Sequence, residues 1–437
     1  MQKPAVSVFW FRRDLRLHDN AALTKALQSA YPVVPIFIFD KNILDDLDDR
    51  QDRRVTFIYQ ALEEMQSQLA HLDSSLEVFY GFPLEVFRQI TEKYEVKVVF
   101  TNHDYEPYAI TRDETIQKFL KEKGITFHTS KDQCIFEKKE ILSNTGTPYT
   151  VFTPYSKKWL NTLTPKHLES YPTERYWGNF YKQPQQKIIS LEAMGFERAE
   201  QNFPPKVIRE DILRNYAERR NFPAVEGTSR LGVHLRFGTI SIRQLAQQAQ
   251  KLNATFLNEL IWRDFYMMIL YNFPHAATQA FRKEYENIHW RNNEEEFAKW
   301  CEGKTGYPIV DAGMRELNAT GYMHNRVRMI TASFLTKHLL IDWRWGEAYF
   351  AKKLLDFDLA ANNGGWQWAS SSGCDAAPYF RIFNPTEQTK KFDPELRYIK
   401  QWVPEFSEFS YPKPIVEHTF ARQRALDTYK NALKPEK

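Results

Sequence analysis

The chain has 437 residues, of which 43% are hydrophobic and 26% charged, and its formal net charge is +4. This length predicts two or three domains, and the hydrophobic share excludes a disordered chain. Three widely spaced cysteines, Cys134, Cys301 and Cys374, exclude a disulfide framework and the four thiolates of an ordinary iron–sulfur cluster.

The chain starts with an apolar run, Val6–Phe11, that predicts a strand. The run ends in Arg12-Arg13-Asp14 and not in the small residues of a signal-peptide cleavage site. No later apolar run has the length that a membrane-spanning helix needs. We therefore expect a soluble protein of the cytoplasm.

The first third of the chain alternates apolar, β-branched runs with helical stretches. Such runs suit strands that are buried on both faces of a sheet. The alternation predicts a doubly wound parallel sheet, which binds ligands at the carboxyl ends of its strands. The predicted strands are Val6–Phe11, Val33–Asp40, Leu76–Gly81, Val96–Asn102 and Ile125–Ser130, and the predicted helices are Asn20–Ala30, Arg53–Leu72, Pro83–Tyr94 and Thr111–Lys123.

The pattern changes twice after this α/β region. Prolines and polar residues interrupt residues 134–205, which predicts a connector with some local helix. Farther on, apolar residues recur at helical spacing in segments such as Ala254–Leu270, Asp311–Leu317 and His324–Leu340. We therefore predict an α/β domain at 1–133, a connector at 134–205 and an all-α domain at 206–437.

A loop before the helical region contains Gly227-Thr-Ser-Arg-Leu231. Thr228, Ser229 and Arg230, together with backbone N–H groups, form a candidate diphosphate cradle at a helix start. The alternative is an ordinary helix cap by threonine or serine.

A carboxylate, an aromatic plane and a cation share one face of the predicted helix Ala254–Leu270. Glu259, Trp262 and Arg263 stand at positions i, i+3 and i+4. They form a candidate binding face. The alternative is an exposed glutamate–arginine pair beside a half-buried tryptophan.

A second helical face carries Asn325, Arg328 and Met329, with Arg326 at its side. An asparagine and two arginines beside an apolar helix suit a phosphate group or a planar ring. The alternative is a helix start with surface arginines.

Two carboxylates, Asp356 and Asp358, precede the stretch Asn362-Asn-Gly-Gly-Trp-Gln-Trp368. They suit a divalent metal ion, or equally the ring N–H groups and ribose hydroxyls of a nucleotide, and a solvated acidic loop is a further alternative. Asn-Asn-Gly-Gly predicts a tight turn that lets a ligand approach. If the segment is extended, Trp366 and Trp368 point to opposite sides.

In this order and spacing the motifs resemble the photolyase/cryptochrome family over nearly the whole chain. The opening stretch Val8–Asn20 is similar to the N-terminal signature of that family, and Asp358–Trp368 is the most specific match. The other matching stretches are Gly227–Leu231, Glu259–Phe265, Gly306–Arg315, Met323–Met329 and Asp356–Asn384.

The resemblance implies an N-terminal antenna domain and a helical C-terminal domain that binds FAD and DNA. It implies diphosphate contacts from Tyr216, Thr228, Ser229, Arg230 and Leu231, and ring and ribose contacts from Arg263, Asn325, Arg328, Asp356 and Asp358. Asn362 is implied at the flavin N5. Gly232 departs from the serine that many members carry, which puts one phosphate hydrogen bond in doubt.

The resemblance also gives a role to some of the tryptophans, of which eight among eleven lie at or after position 262. Trp290, Trp343 and Trp366 match an electron path from the surface to the flavin. Core packing is the alternative for the other tryptophans, such as Trp300, Trp345 and Trp402.

Within the family the chain resembles the class I cyclobutane pyrimidine dimer photolyases. Asn325 and Met329 stand where the (6-4) enzymes place two histidines, and neither residue is an acid near neutral pH. Trp368 stands where plant-type cryptochromes tend to carry tyrosine. The resemblance implies a lyase that repairs dimers through excited, reduced FAD, and the alternative is a blue-light receptor without repair activity.

The resemblance implies that a flipped-out dimer is the substrate. It implies contacts to the dimer or its DNA from Glu259, Trp262, Asn325, Arg326, Met329, Trp368, Arg381 and Gln388, with Lys390 as a further phosphate contact. Glu259 and Asn362 are implied in catalysis, together with Trp290, Trp343 and Trp366.

A second, antenna chromophore is left open by the resemblance, and folate, a deazaflavin and FMN are the candidates. Tyr108-Ala109 replaces the Asn-Glu of folate-binding members, which counts against folate. We expect damaged DNA as the partner, a monomer, no membrane contact, no metal, and association with the nucleoid if the source is bacterial. A metal-dependent nucleotide enzyme that uses Asp356 and Asp358 is a competing interpretation.

Overall fold

The computed structural model describes residues 3–434, which divide into two units of interleaved segments. Among the described residues, the first unit contains those up to 137, 163–208 and 230–248, and the second contains 138–162, 209–229 and those from 249 to 434. The borders of these units do not coincide with the predicted boundaries at 133 and 205. The predicted connector is shared between the units, because its helical part packs with the second unit and its remainder with the first.

The first unit contains a five-stranded parallel sheet of the order β3-β2-β1-β4-β5. This order confirms the predicted doubly wound topology. All eight residues of β2 are buried, as its unbroken apolar pattern predicted. The strands are β1 (Ala5–Phe11), β2 (Val33–Asp40), β3 (Glu77–Gly81), β4 (Glu95–Asn102) and β5 (Thr126–Ser130).

Helices account for most of the remaining ordered backbone. The α-helices are α1 (Ala21–Leu27), α2 (Lys41–Leu44), α3 (Arg53–Ala70), α4 (Pro83–Lys93), α5 (Pro107–Glu122), α6 (Phe152–Thr162), α7 (Glu210–Arg214), α8 (Tyr216–Arg219), α9 (Gly232–Phe237), α10 (Ile242–Leu252), α11 (Ala254–Asn272), α12 (Glu294–Glu302), α13 (Pro308–Thr320), α14 (Asn325–Ser333), α15 (Trp343–Lys353), α16 (Leu359–Ser370), α17 (Pro385–Phe392), α18 (Arg397–Trp402) and α19 (His418–Ala432). Short 3₁₀-helices cover Pro165–Leu168, Thr173–Asn179, Glu192–Met194, Pro274–Ala277 and Lys283–Asn287, and a π-helix, Phe334–His338, continues α14.

The residues of the N-terminal signature, Val8–Asn20, that follow β1 take part in a buried ion-pair network in the first unit. Asp132 accepts from Arg16 Nη2 at 2.6 Å and from Arg243 Nη2 at 2.8 Å, and Arg243 Nε also donates to Asp19 at 2.9 Å. Burial acts to raise the pKa of Asp132, but the two guanidinium groups outweigh it and lower the pKa. These residues of the signature therefore stabilise the fold.

The segment Asn362–Gly365 lies inside α16, so the predicted tight turn is wrong. The side chain of Asp358 caps this helix by accepting from Ala361 N at 3.3 Å. A Cβ atom on Gly364 would lie 2.3 Å from the ring of Tyr266, so the glycine permits the close packing of α16 on α11. This packing outweighs the low helix propensity of the Asn-Asn-Gly-Gly sequence.

Trp366 and Trp368 therefore both lie on α16, two residues apart, and their side chains point in directions about 200° apart around the helix axis. Trp366 is buried in the core of the second unit, and Trp368 is half-buried. Nowhere between residues 3 and 434 does the structure contain a helix long and apolar enough to span a membrane.

Candidate functional site

The carboxylate of Glu259 forms an ion pair with Arg220, which lies just after α8. Each side chain is about one-third exposed, at 33%. Burial raises the pKa of Glu259, and the charge of Arg220 acts in the opposite direction. Sequence reasoning missed Arg220, because a partner 39 residues earlier in the chain leaves no periodic signal.

Arg326 lies at the same corner of the second unit. Its Nη2 donates to Asn221 Oδ1 at 2.7 Å, and its guanidinium lies 4.4 Å from the ring centre of Phe392. Burial and the nearby charge of Arg220 lower the pKa of Arg326. Two cations and the Glu259 carboxylate therefore form a cluster of net positive charge.

Tyr216 joins this cluster, because the Arg220 guanidinium lies 5.7 Å from its ring centre. Burial and the carboxylate of Glu259 raise the pKa of Tyr216, so its hydroxyl stays protonated. Its ring packs edge-on against Phe256 at 5.0 Å. The structure thus brings together Tyr216, Glu259 and Arg326, all three predicted from the sequence.

Trp262 is the central ring of an aromatic column formed by Phe152, Trp262 and Tyr266. The Phe152 ring lies parallel to the Trp262 ring, with 3.5 Å between centroids and 4° between planes. Tyr266 stacks at 5.4 Å and 29°. Phe152 was missed because it belongs to the predicted connector.

A shallow cleft, open to solvent, lies beside this column. Tyr266, Trp368, Cys374 and Asp375 contribute to its wall. Burial raises the pKa of the Cys374 thiol to about 11, so the thiol is protonated at neutral pH. The half-buried Trp368 therefore borders an apolar space, as expected of a residue that receives a planar ligand.

Of the residues predicted to hold the flavin ring and ribose, Arg263 lies on α11, and the others lie on α14 and in the segment before α16. Arg328 Nη2 donates to Asp356 Oδ2 at 3.0 Å, and Arg328 Nε donates to the Met323 carbonyl at 2.7 Å. Asn325 begins α14 and is exposed. Asp358 carries the helix cap described above, and its place at the amino end of α16 makes it part of the same group.

The amide group of Asn362 is held by Glu347, which the sequence did not reveal. Asn362 Nδ2 donates to Glu347 Oε1 at 2.8 Å and to the Glu347 carbonyl at 3.1 Å. Burial raises the pKa of Glu347, and the hydrogen bond from Asn362 acts in the opposite direction. These two bonds fix the amide plane of Asn362.

The neighbouring surface of α16 fits a flat ring. A Cβ atom on Gly365 would meet no heavy atom within 4 Å, and Gly365 shares a helical face with Asn362. An oriented amide, an open helix surface, carboxylates and a guanidinium are the groups that a flavin nucleotide requires. The donor set therefore fits FAD.

The predicted diphosphate cradle contains an additional residue, Tyr322. Its hydroxyl lies 3.1 Å from Thr228 Oγ1, within hydrogen-bond distance. Ser229 also belongs to the second unit, whereas Arg230 and Leu231 are grouped with the first. Helix α9 begins at Gly232 without a side-chain cap, so the alternative of a threonine or serine cap is wrong.

The three tryptophans of the predicted electron path share one core cluster in the second unit. Trp343 and Trp366 are both 2% exposed, and the half-buried Trp290 packs against the same cluster. Trp290 also meets Tyr429 edge-on at 6.1 Å. The half-buried Trp290 is thus the one of the three nearest to solvent, which suits the outer end of such a path.

The predicted DNA contacts at the end of the chain lie near and on α17. Arg381 is exposed, and Gln388 on α17 is half-buried. Lys390 already binds Glu387 at 2.7 Å, which weakens its case as a phosphate contact. Met329 receives an N–H contact from Arg326 at 3.6 Å, so Met329 lies beside the positive cluster.

Family models match both parts of the chain. Residues 7–173 match the model described as DNA photolyase, and residues 256–410 match the FAD binding domain of DNA photolyase. A deoxyribodipyrimidine photo-lyase from Synechococcus is 37% identical over 98% of this chain and 96% of its own length.

Solved structures show the same fold. A class III photolyase from Agrobacterium tumefaciens has a TM-score of 0.87 and 31% identity, over 99% of this chain and 98% of its own. An archaeal photolyase from Sulfolobus tokodaii, solved with two FAD molecules, has a TM-score of 0.83 and 37% identity, over 97% of this chain and 99% of its own.

Proposed function

The chain belongs to the DNA photolyase family, and we propose that it is a carbon–carbon lyase that repairs cyclobutane pyrimidine dimers in DNA under blue light. The observation that carries this proposal is the arrangement on α11. One helix presents Glu259 to the positive cluster and Trp262 to the aromatic column. A carboxyl group and an aromatic plane are thus available together for one dimer of adjacent pyrimidines.

FAD is the cofactor, and its reduced form, when excited by light, supplies an electron to the dimer and takes it back after the ring opens. The residues of this chain that fit the cofactor are Tyr216, Thr228, Ser229, Arg230, Leu231, Arg263, Asn325, Arg328, Asp356, Asp358 and Asn362. The fixed amide of Asn362 supports a contact at the flavin N5, because Glu347 determines its orientation.

The dimer leaves the duplex and enters the second unit, as in other enzymes that flip their target base. Trp368 offers a half-exposed aromatic plane to it, Trp262 offers the part of its indole that Phe152 and Tyr266 leave uncovered, and Met329 supplies a flexible apolar contact. Glu259 hydrogen-bonds a pyrimidine carbonyl or imide. Burial raises the pKa of Glu259 while Arg220 opposes that shift, and in this proposal a protonated Glu259 donates to the carbonyl that gains charge.

Cations around this entrance hold the DNA backbone. Arg326 belongs to the positive cluster, and Arg381 is exposed on the segment before α17. Gln388 lies one helix turn into α17 and faces the same strand of DNA in this proposal. Binding to phosphates predicts an affinity that falls as the salt concentration rises.

The test is a light-dependent repair assay. Purified, photoreduced protein is mixed with an oligonucleotide that contains one thymine dimer, illuminated with blue light beside a dark control, and intact thymines are counted. Repair in the light alone supports the proposal. Bound, reducible FAD without repair would contradict it and would favour a light receptor of the same family.

A second chromophore, class I membership and a monomeric state belong to the same proposal. The Sulfolobus protein was solved with two FAD molecules, which supports an antenna site in this chain as well. Extraction of the purified protein followed by chromatography identifies any second chromophore. Size-exclusion chromatography with and without damaged DNA tests the monomer, which we place at the nucleoid if the source is bacterial.

A further inference from the structure

We propose that Phe152 is a positioning residue for dimer recognition, because it covers one face of Trp262 and so determines which surface of that indole the dimer contacts. The inference rests on the proposed function, in which Trp262 contacts the dimer. Phe152 lies within the family-model match at residues 7–173, but outside the sequence motifs named above and outside the residues proposed for the cofactor.

The first observation is the geometry of the stack. A centroid separation of 3.5 Å with parallel planes means that the Phe152 ring covers the face of Trp262 directly, without offset. Phe265 meets the indole edge-on at 5.6 Å, and Tyr266 leans on it at 29°. The dimer is left with the remaining surface of the indole only.

The second observation is that α6, which begins at Phe152, is attached to α11 along its length. Ser156 Oγ donates to Asn258 Oδ1 at 3.2 Å, and Trp159 Nε1 donates to Asp264 Oδ2 at 3.0 Å. Asn258 and Asp264 flank Trp262 in the sequence. The helix that carries Phe152 is therefore fixed on both sides of the residue that it covers.

The third observation is that both ends of the aromatic column are anchored in the chain after Asp358. Phe152 N donates to Asp375 Oδ2 at 3.0 Å, and Tyr266 packs directly on Gly364. Phe152 is itself only 6% exposed. The indole plane of Trp262 is thus held before any ligand arrives.

A plane that is fixed in advance lowers the entropy cost of binding a rigid, flat ligand. The loss of Phe152 releases Trp262 to other rotamers, so it weakens the binding of the dimer. It does not touch the cofactor residues or the phosphate contacts. The expected signature is therefore a change in dimer affinity, with unchanged binding of undamaged DNA and unchanged repair of bound dimers.

The experiment compares Phe152→Leu, which removes the ring plane, with Phe152→Tyr, which keeps it. Leu160→Ala is the control on the same helix, since Leu160 is 47% exposed. The readouts are the Kd for a duplex with one thymine dimer, the Kd for the undamaged duplex, the flavin absorbance, and the repair per photon at saturating DNA.

We expect Phe152→Leu to raise the Kd for the dimer duplex by about 3- to 10-fold, which is the change in affinity that the loss of one aromatic pair produces. The other readouts should stay at the wild-type values, Phe152→Tyr should restore dimer affinity, and Leu160→Ala should change nothing. An unchanged dimer Kd in Phe152→Leu overturns the inference. Equal weakening of both duplexes together with loss of flavin overturns it too, because that pattern marks a merely structural residue.

If Phe152→Leu fails to fold, Asp375→Asn replaces it, since this change keeps every ring and weakens the anchor of Phe152. It should raise the dimer Kd by about two-fold, and an unchanged Kd in that variant overturns the inference. Failure of the proposed function is separate: the wild type would then not distinguish the two duplexes, and Trp262→Ala would change neither Kd.

Discussion

In the first unit Asp132 lies between the guanidinium groups of Arg16 and Arg243, whereas in the second unit Lys337 is buried with neutral partners. Lys337 Nζ donates to the Ser370 carbonyl at 3.3 Å and to Ser371 Oγ at 2.9 Å. The pKa of Asp132 is lowered by its two cations despite burial, and that of Lys337 is lowered by burial. The first arrangement stabilises the charged form and the second favours the neutral form.

Burial also raises the pKa of Glu259 and of Glu347 in the second unit, although Glu259 has the charged partner Arg220 and is one-third exposed. Asp14 departs from the pattern of the first unit: burial raises its pKa, and its closest side-chain partner is the amide of Asn102 at 2.5 Å. The comparison teaches that a dense polar motif can serve the fold or the ligand. A motif whose charged groups are all paired serves the fold. A motif whose charged groups are partly exposed and have a single partner serves the ligand.

The largest effect is expected on stability, when the ion-pair network around Asp132 is broken. Asp132→Ala leaves two buried guanidinium groups without their carboxylate, so we expect a loss of about 3–5 kcal/mol in the free energy of unfolding. Urea unfolding measures it. The control is Glu210→Ala, which breaks an exposed helical pair with Arg214 and should cost about 0.5 kcal/mol or less. Equal losses in the two variants would contradict a structural role for the signature.

The next effect concerns the second unit alone. Glu259→Ala removes the proposed hydrogen bond to the dimer, so repair per absorbed photon should fall by about ten-fold, while flavin absorbance is retained. Glu218→Ala, an exposed carboxylate on α8, is the matched control and should repair normally. Equal repair yields in Glu259→Ala and the wild type would remove Glu259 from the mechanism.

The pH dependence of the stability distinguishes a group that is buried in its neutral form from one that is buried in an ion pair. Burial and then the neighbouring His418 lower the pKa of His338 to about 3, while Arg424 acts in the same direction and Glu417 opposes them. The folded protein thus binds fewer protons than the unfolded chain, so this stability is present above the ordinary histidine pKa of about 6.5 and is lost as the pH falls.

The wild type should therefore lose about 1.4 kcal/mol through His338 between neutral pH and a pH of about 5.5. His338→Gln should flatten this part of the pH profile, as followed by urea unfolding at each pH. Identical slopes in the two proteins would show that His338 is already solvated in the folded state.

The smallest effect tests the DNA surface of the second unit. Arg381→Ala should weaken the binding of damaged and undamaged DNA alike by a few-fold and reduce the slope of log Kd against log salt by about one. Lys187→Ala, an exposed cation of the first unit, is the control. A loss confined to the dimer duplex would instead place Arg381 at the lesion.

Much of the sheet and of the site was predictable, because both rest on local patterns. Strand β2 spans the residues that its apolar run predicted, and the face of Glu259 and Trp262 forms part of the candidate site. The contacts that the sequence did not reveal are long-range ones. Nothing local indicates that Phe152 reaches Trp262, 110 residues later, or that Arg220 pairs with Glu259.

Local propensity also misled at one point. Asn362–Gly365 has the composition of a turn, yet it is helical because Asp358 caps α16 and Gly364 admits the ring of Tyr266. The helix exists because of a packing partner on α11, and no single-segment pattern contains that information. The family resemblance has its most specific match in this stretch, but only the structure shows why glycine is required at position 364.

The interleaved order of the segments constrains how the protein is made in the cell. Arg243 follows Asp132 by 111 residues, and the first unit is complete only at residue 248. At the usual pace of ribosomes the nascent chain waits roughly 5 to 20 seconds between the two residues. Throughout that interval the carboxylate of Asp132 has one of its two cations, and the last segment of its unit is still unsynthesised. A chain that ends at residue 137 therefore lacks the later segments of its first unit and the second cation of Asp132.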